Sequence, residues 1–268
     1  MAENTRGGRP IRSAITRATP DSVHVHGLDL TKLLGNVNLG DFAFLELFKR
    51  LPDERESVLV NAMIVSLVEH GVTPSVIAAR MTIMGAPESL QGAVAAGLMG
   101  LGNTFVGTIE GAAKVCQEEL PGAGRHDVSS QDRLGDDEIT ALATKIFDEH
   151  KAAGKTIAGI GHPVHKPVDP RAQRLFALAT ELGYDDSAPR LIAAISAVAS
   201  ERSGKILPVN VTGAIGALSA TVGIPWKVAR GLGVMARAVG LVGHLLEESE
   251  NPIAGTIWSE TEAEAIKP

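Results

Sequence analysis

The sequence predicts an all-α fold, and three observations predict it. Apolar residues recur at helical spacing, most clearly over 136–152, where acidic residues also fill the first turn. Proline follows a capping residue at Thr73-Pro74 and again at Asp169-Pro170, which is typical of a helix start. A strand-like alternation is confined to 22–26, and no rhythm of strands and helices indicates a parallel sheet.

The predicted helices follow one another from residue 42 onward. A polar arm over 1–20 and a short extended piece within 21–35 precede them. Helices are expected over 42–50, 55–70, 74–84, 88–101, 105–118, 136–152, 170–182, 188–202, 208–221 and 225–249. The segment 55–70 is apolar almost all round, which predicts a buried helix. The segment 121–133 is rich in glycine and charge, which predicts a loop.

The composition is that of a globular protein with closely packed helices. Of the 268 residues, 44% are hydrophobic and 21% charged, but only 3% are aromatic, while alanine and glycine are frequent. Small side chains let helices approach closely. The net charge is -6 and no basic stripe appears, so nucleic acid is not expected as a partner.

Cysteine content and the N-terminal segment predict a cytoplasmic protein. Cys116 is the single cysteine, so no disulfide can form within the chain, which suits a reducing compartment. The first twenty residues hold no apolar core of a secretory signal. No apolar run of membrane-spanning length is free of charge, so no membrane association is expected.

A division into two domains is plausible. Residues 136–202 would form a small helical domain that carries the loop 155–167. Residues 21–135 and 203–268 would form the large helical domain, with 1–20 as the arm.

The strongest candidate site is the loop between two predicted helices, one ending near 152 and the next beginning at Pro170. It holds two glycines, two histidines and a lysine: Gly159, Gly161, His162, His165 and Lys166. Glycines allow a close approach of the backbone to a ligand, and histidine titrates near neutral pH. Arg171 follows at a helix N-terminus, where anions are favoured. The pattern suits an acidic ligand, and equally a turn with solvent-facing side chains.

Two other side chains stand out from their surroundings. His70 closes the apolar segment 55–70, where it could interact with the helix dipole or face a cleft. Arg237 lies in an otherwise apolar helix and needs a partner, either a substrate carboxylate or a buried acid.

Metal and dinucleotide sites are not expected. The pairs His162 with His165 and His24 with His26 each lack a third ligand in the local sequence. The segment 231–236 imitates a dinucleotide fingerprint, but it lies within a predicted helix with no preceding strand.

Five segments, in this order, resemble the citrate synthase superfamily, and most closely its citryl-CoA lyases. These occur alone and as the C-terminal part of ATP citrate lyase. The segments are Leu59–Gly71, which ends in Val-Glu-His70-Gly71 where the family has Asp-His-Gly, then Gly97–Lys114, Gly159-Ile-Gly-His162, Asp169-Pro-Arg171-Ala172 and Arg237–His244. The resemblance spans roughly residues 33–250.

The resemblance implies a citrate synthase-like helical fold with a large and a small domain, a homodimer or higher oligomer, and domain closure that excludes water. It implies that His162 acts as general base on the substrate hydroxyl, and that His70, Arg171 and Arg237 hold substrate carboxylates. The loop would lie against coenzyme A, which enters as part of the substrate, with no other cofactor. The residues expected there are Gly159, Gly161, Pro163, His165 and Lys166.

Four positions depart from the family pattern. Phe105, expected beside the substrate, replaces a histidine of the synthases. Thr212 occupies the catalytic aspartate's position in an Asn-Val-Thr-Gly segment, and a hydroxyl cannot replace a carboxylate as a proton carrier. Pro163 stands where the family usually has arginine, and His165 stands where synthases have tyrosine.

These departures favour cleavage over condensation. Condensation needs a base that removes a weakly acidic methyl proton, whereas cleavage needs only an acid to protonate the departing enolate, and water can supply that proton. The predicted function is therefore a carbon–carbon lyase that splits a citryl-CoA-like 3-hydroxyacyl-CoA into an acyl-CoA, such as acetyl-CoA, and a keto acid, such as oxaloacetate.

Other uses of the same site remain open. They are a citrate synthase-like condensing enzyme, a CoA-thioester hydrolase or transferase, and a non-catalytic subunit that binds CoA thioesters. A lyase releases acyl-CoA and a keto acid, a hydrolase releases free thiol, and a binder shows saturable affinity without turnover.

Overall fold

The computed structural model describes residues 12–120, 122 and 133–268. Within them the chain is mainly helical, which confirms the predicted all-α class. The helices are α1 Leu30–Leu33, α2 Leu39–Phe48, α3 Glu54–Val68, α4 Pro74–Gly85, α5 Leu90–Met99, α6 Gly107–Glu119, α7 Asp136–Ala152, α8 Pro170–Glu181, α9 Ser187–Ser203, α10 Val211–Val222, α11 Trp226–Glu250 and α12 Ala254–Ala265.

A small antiparallel sheet precedes the helices. Its strands are β1 Thr16–Thr19, β2 Ser22–Val25 and β3 Leu28–Asp29, with Thr16 opposite Val25. The strand β2 matches the predicted extended piece, whereas β1 lies in the segment predicted to be a polar arm. The rest of that arm, 1–11, lies outside the described residues. A boundary between two compact units falls after Asn61, and Val25, Leu33 and Leu45 form a core of the first unit.

In the second unit, α6 packs against both α10 and α11 at glycine contacts. A Cβ added at Gly216 would lie 2.6 Å from the Ala112 Cβ, and one at Gly233 would lie 2.8 Å from Val106 Cγ1. Larger residues would separate these helices. The small-residue composition therefore produces the close packing that it predicted.

Two apolar cores hold the second unit together. In the first, Ile139 and Ile146 of α7 and Leu191 and Ile195 of α9 pack with residues of α6 and α10. In the second, α4, α5 and α11 pack around Leu241. At about 25 cal/mol per Å² of apolar surface, such burial is the main stabilising contribution of each core.

The helix α11 is long and apolar enough, by length and composition, to cross a membrane, and it alone among the described residues passes that test. A core helix passes it as well. Ala229, Leu232, Ala236 and Leu241 of α11 are all buried, and α11 packs against α4, α5 and α6. These contacts make α11 a core helix of the second unit.

Most helix positions agree with the periodicity, and the differences have local causes. The segment 136–152 is helical throughout, as predicted. The helix predicted from 208 begins at Val211, because Val209 pairs with Ile160 in an isolated bridge. Val65 is 68% exposed, so α3 is not buried all round as predicted. The predicted loop 121–133 lies mostly outside the described residues.

Candidate active site

A cavity of about 600 Å³ opens between the end of α3, the turn before α6, the loop 156–163 and the helices α8, α10 and α11. Nine predicted site residues lie on its wall: His70, Phe105, Gly159, Gly161, His162, Pro163, Arg171, Thr212 and Arg237. The predicted His165 and Lys166 lie beyond the wall. The structure thus gathers side chains more than 160 positions apart in sequence.

The glycine loop is tied to the segment that leads into α10. The Gly161 N–H donates to the Pro208 carbonyl at 2.7 Å, and the Asn210 N–H donates to the Gly159 carbonyl at 3.0 Å. Gly159 and Gly161 have φ values of +84° and +81°, which side chains rarely adopt. A Cβ at Gly159 would also overlap Gly213 Cα. Position 159 therefore requires glycine for two reasons: its backbone conformation and the lack of space for a side chain.

His162 is held with its proton on the nitrogen that is free of backbone contacts. Its Nδ1 lies 3.1 Å from the Val164 N–H and 2.9 Å from the His165 N–H, so Nδ1 accepts and the neutral ring carries its proton on Nε2. Burial lowers the pKa of His162, and the charge of His165 and Arg171 lowers it further. His162 is therefore a neutral imidazole near pH 7, with Nε2 as a donor.

His70 lies just after α3, beside His162. The ring centroids of His70 and His162 are 5.4 Å apart. His70 Nε2 is buried and has no hydrogen-bond partner in the described part of the chain. Burial lowers the pKa of His70, and the charges of Arg171, His165 and Arg237 add to this effect. A buried nitrogen without a protein partner at a cavity is available to a ligand or to water.

His70, His162 and His165 form a cluster in which one ring nitrogen from each lies within 4.8 Å of the others. A tetrahedral zinc ion would need nitrogens roughly 3.4 Å apart, with lone pairs free to coordinate it. The Nδ1 lone pair of His162 already accepts two backbone N–H groups. The cations Arg171 and Arg237 lie on the same wall. The arrangement suits an anion better than a metal ion.

Asp169 fixes Arg171 at the cavity. The carboxylate is fully buried and accepts from Arg171 Nε at 3.1 Å and Nη2 at 2.9 Å, and from the Val211 N–H at 2.9 Å. Burial alone would raise the pKa of Asp169, but the hydrogen bonds and the charge of Arg171 outweigh it and lower the pKa. Asp169 thus joins the N-termini of α8 and α10 and orients a guanidinium.

Arg237 is a buried cation with an unused donor. It is 8% exposed, and Nη1 has no hydrogen-bond partner among residues 12–120, 122 and 133–268. Burial lowers its pKa, the nearby Glu69 carboxylate raises it, and Arg171 lowers it. A guanidinium N–H that has no protein partner and lies on a cavity wall is available to an anion.

The Thr212 hydroxyl is engaged within the protein. It donates to Asn210 Oδ1 at 2.6 Å, and Thr108 Oγ1 lies 2.8 Å away. Asn210 Oδ1 also caps α10 by accepting from the Gly213 N–H at 3.0 Å. Phe105 lies on the same wall and is 42% exposed. Neither Phe105 nor Thr212 offers an ionisable group to a ligand.

The sequence did not predict the site roles of three residues: Asn210, Glu69 and Asp169. The role of Asn210 as a helix cap was not predicted, because the helix was expected to begin at 208. Asparagine before an apolar helix is nevertheless a typical cap. Asp169 was interpreted as a helix cap alone. Glu69 lines the cavity, and it lies within the first family segment, in which a role was predicted for His70 alone.

The chain resembles known proteins over most of its length. A family model described as "Citrate synthase, C-terminal domain" matches residues 16–258. The chain is 27% identical over 208 residues to a protein of Mycobacterium tuberculosis named "Putative citrate synthase 2", covering 76% of this chain and 51% of that protein. The chain therefore spans about half the length of the curated relatives that it matches.

Solved structures share the fold. Citryl-CoA lyase from Hydrogenobacter thermophilus has 32% identity and a TM-score of 0.76, covering 90% of this chain and 87% of that one. ATP citrate lyase from Methanosaeta concilii, solved with (3S)-citryl-CoA, has 21% identity and a TM-score of 0.73, covering 92% and 40%. With the cavity, the glycine loop and the family match taken together, the chain belongs to the citrate synthase family.

Proposed function

We propose that this protein is a carbon–carbon lyase that cleaves a 3-hydroxyacyl-CoA thioester. The substrate bears a carboxylate on its acid half, which is the part released as the keto acid. One observation carries the proposal. The buried guanidinium of Arg237, which has a donor without a protein partner, lies on the same cavity wall as the neutral imidazoles of His70 and His162. The guanidinium suits a carboxylate, and the imidazoles suit a hydroxyl that gains and loses a proton.

The bond changes in the proposed reaction are simple. The C3 hydroxyl loses its proton to a base, and the C3–O bond becomes a carbonyl. The C2–C3 bond breaks, and its electron pair stays on C2 as the thioester enolate. A proton from water then adds to C2, which gives an acyl-CoA and a keto acid.

We assign the two proton tasks to two histidines. His162 Nε2–H donates to the C3 oxygen and stabilises the charge that develops there, because Nδ1 already accepts two backbone N–H groups. The unpartnered Nε2 of His70 then takes the hydroxyl proton. This differs from the expectation from family resemblance, in which His162 is itself the base, since that role needs Nε2 to be free of its proton.

The proposed binding roles combine the family resemblance with the positions of these residues. Arg171, oriented by Asp169, and Arg237 hold the carboxylate of the acid half. The loop with Gly159, Gly161 and Pro163 lies against the coenzyme A moiety, and Phe105 lies beside the acyl group. His165 and Lys166, just beyond the wall, contact the outer part of coenzyme A. A small domain over 136–202 would then close on the bound substrate, and no further cofactor takes part.

The Thr212 end of the cavity favours cleavage over condensation. Its hydroxyl donates to Asn210, and Phe105 is apolar, so no side chain described at this end of the cavity is placed to remove a proton from an acyl-CoA methyl. Cleavage does not need that step. Condensation of acetyl-CoA with oxaloacetate at ordinary enzymatic rates would therefore contradict the proposal.

Thr212→Asp tests the interpretation of this position. Wild type and variant are incubated with citryl-CoA, and oxaloacetate and acetyl-CoA are followed. Cleavage by wild type shows that the carboxylate is dispensable. Cleavage by the variant alone shows that the scaffold binds the thioester while wild type acts on another substrate. Thr212→Val is the matched control, since it removes the hydroxyl without adding a charge.

We also propose a cytoplasmic homodimer. Exposed apolar residues lie along one stripe of α11, at Met235, Val239, Val242 and Leu246. Their spacing of four and three residues is that of a helix–helix seam. Such a stripe is buried when a second copy packs against it.

A further inference from the structure

We propose that Asn210 is a positioning residue for His162, and that the Thr212 hydroxyl holds the Asn210 amide in place. This inference rests on the proposed lyase function, in which His162 Nε2 faces the C3 oxygen of the substrate. Asn210 lies on the cavity wall immediately before α10, and its side-chain amide reaches across to the glycine loop. Its proposed task is to fix the peptide bond that leads into His162.

Asn210 holds the loop at both of its glycines. The Asn210 N–H donates to the Gly159 carbonyl at 3.0 Å, and Asn210 Nδ2 donates to the Gly161 carbonyl at 2.8 Å. The Gly161 carbonyl belongs to the peptide bond between Gly161 and His162. Because glycine has a wide range of accessible backbone conformations, this peptide bond could rotate if the amide were lost. Asn210 therefore restricts the backbone immediately before His162.

The orientation of the Asn210 amide is set by its partners. Asn210 Oδ1 accepts from the Gly213 N–H at 3.0 Å and from the Thr212 hydroxyl at 2.6 Å. A backbone N–H only donates and a carbonyl only accepts, so the amide nitrogen has to face Gly161. The Thr212 hydroxyl in turn lies 2.8 Å from Thr108 Oγ1 of α6. Thr212 thus supports the amide in a role that needs no ionisable group.

The imidazole of His162 is fixed from its other side by the backbone that follows it. Its Nδ1 accepts from the N–H groups of Val164 and His165, which leaves the proton of the neutral ring on Nε2. Movement of the Gly161–His162 peptide bond would displace Nε2 and loosen these two contacts. A displacement of about 1 Å at a catalytic group can lower a rate by about 100-fold. Asn210 therefore acts on the reaction through His162.

Asn210→Ser tests this role, because it removes the donor to Gly161 and keeps a side-chain oxygen that can cap α10. Serine and asparagine are about equally good at this position of a helix. We expect kcat for citryl-CoA cleavage to fall by at least about tenfold and KM to change by less than about twofold. Asn210→Asp keeps both the size and the cap but turns an acceptor toward Gly161, so kcat should fall at least as far.

Gln117→Ser is the matched control, since Gln117 also joins two elements through its amide. Gln117 Nε2 donates to the Ile224 carbonyl at 2.7 Å, and Oε1 accepts from the Trp226 N–H at 3.0 Å, away from the cavity wall. Gln117→Ser should lower the midpoint of urea unfolding and leave kcat unchanged. The same result for Asn210→Ser would show a purely structural role and would overturn the inference.

The tautomer of His162 gives a second readout that does not depend on turnover. Two-dimensional ¹⁵N NMR of the imidazoles at about pH 8, where His162 is neutral, separates the two tautomers. The His162 signals are those absent from His162→Ala. We expect the Nε2–H form in wild type and Gln117→Ser, and a mixture in Asn210→Ser.

This readout separates the two proposals. If wild type does not cleave citryl-CoA, the proposed cleavage of that thioester fails, and the tautomer comparison still decides whether Asn210 positions His162. A His162 spectrum that is the same in wild type and Asn210→Ser overturns the positioning role, whatever the activity.

Discussion

Individual titrating residues set the pH range of activity. The pKa values of His70 and His162 both lie below the ordinary 6.5, so both rings are neutral near pH 7. Protonation blocks His70 as a base and opposes the backbone N–H groups at His162 Nδ1. We expect kcat/KM to be level near neutral pH and to fall in acid with an apparent pKa below 6.5.

The same two histidines couple folding to pH. Their pKa values are lower in the folded chain, so the unfolded chain binds protons first as pH falls. Folded-state stability should therefore decrease below about pH 6.5. A pH profile of kcat/KM whose acid limb lies above 6.5 would contradict these assignments.

Asp169 is the residue whose loss should affect both stability and binding. Asp169→Asn removes a fully buried charge that pairs with Arg171 and accepts from α10. We expect a loss of about 3 kcal/mol in the free energy of unfolding, measured by urea titration, and a higher KM. Glu181→Gln breaks the exposed pair with Arg174 and serves as control, with an unchanged unfolding midpoint. Equal effects of both variants would show that Asp169 has no special role.

At the scale of elements, the crossing of the glycine loop over α10 positions His162. A Cβ at Gly213 would overlap the Gly159 carbonyl oxygen, which is backbone and cannot rotate away. Gly213→Ala should destabilise the fold by about 1–3 kcal/mol and lower kcat by moving the loop. Gly231→Ala, on α11 with open space around it, should be neutral or slightly stabilising. Unchanged kcat in Gly213→Ala would argue against this positioning.

Hydrophobic periodicity predicted where most helices lie. It predicted less well where each helix ends and which distant residues contact one another. The segment 136–152 combines helical spacing with a charged first turn, and α7 matches it. The helix α12 was missed, because its acidic, weakly apolar sequence carries little periodic signal. The family motifs predicted residues that share one cavity. The contacts of Glu69 with His244 and of Asp169 with Val211 join distant segments, so no local pattern reveals them.

At the scale of the whole molecule, the exposed stripe on α11 predicts self-association. Light scattering after size exclusion should show a dimer of the wild-type chain. Val242→Glu with Leu246→Glu places charges in the stripe and should yield a monomer, whereas Ala141→Glu, at an exposed position of α7, should leave the dimer intact. A wild-type monomer at micromolar concentration would contradict the proposed assembly.

The reaction itself is tested most directly by the products of a single incubation. The purified chain is mixed with citryl-CoA, and acyl-CoA, keto acid and free thiol are separated by mass spectrometry. We expect acyl-CoA and keto acid in equal amounts, no free thiol, and a loss of at least about 100-fold in rate for His162→Ala. Release of free coenzyme A, or product formation that His162→Ala leaves unchanged, would contradict it.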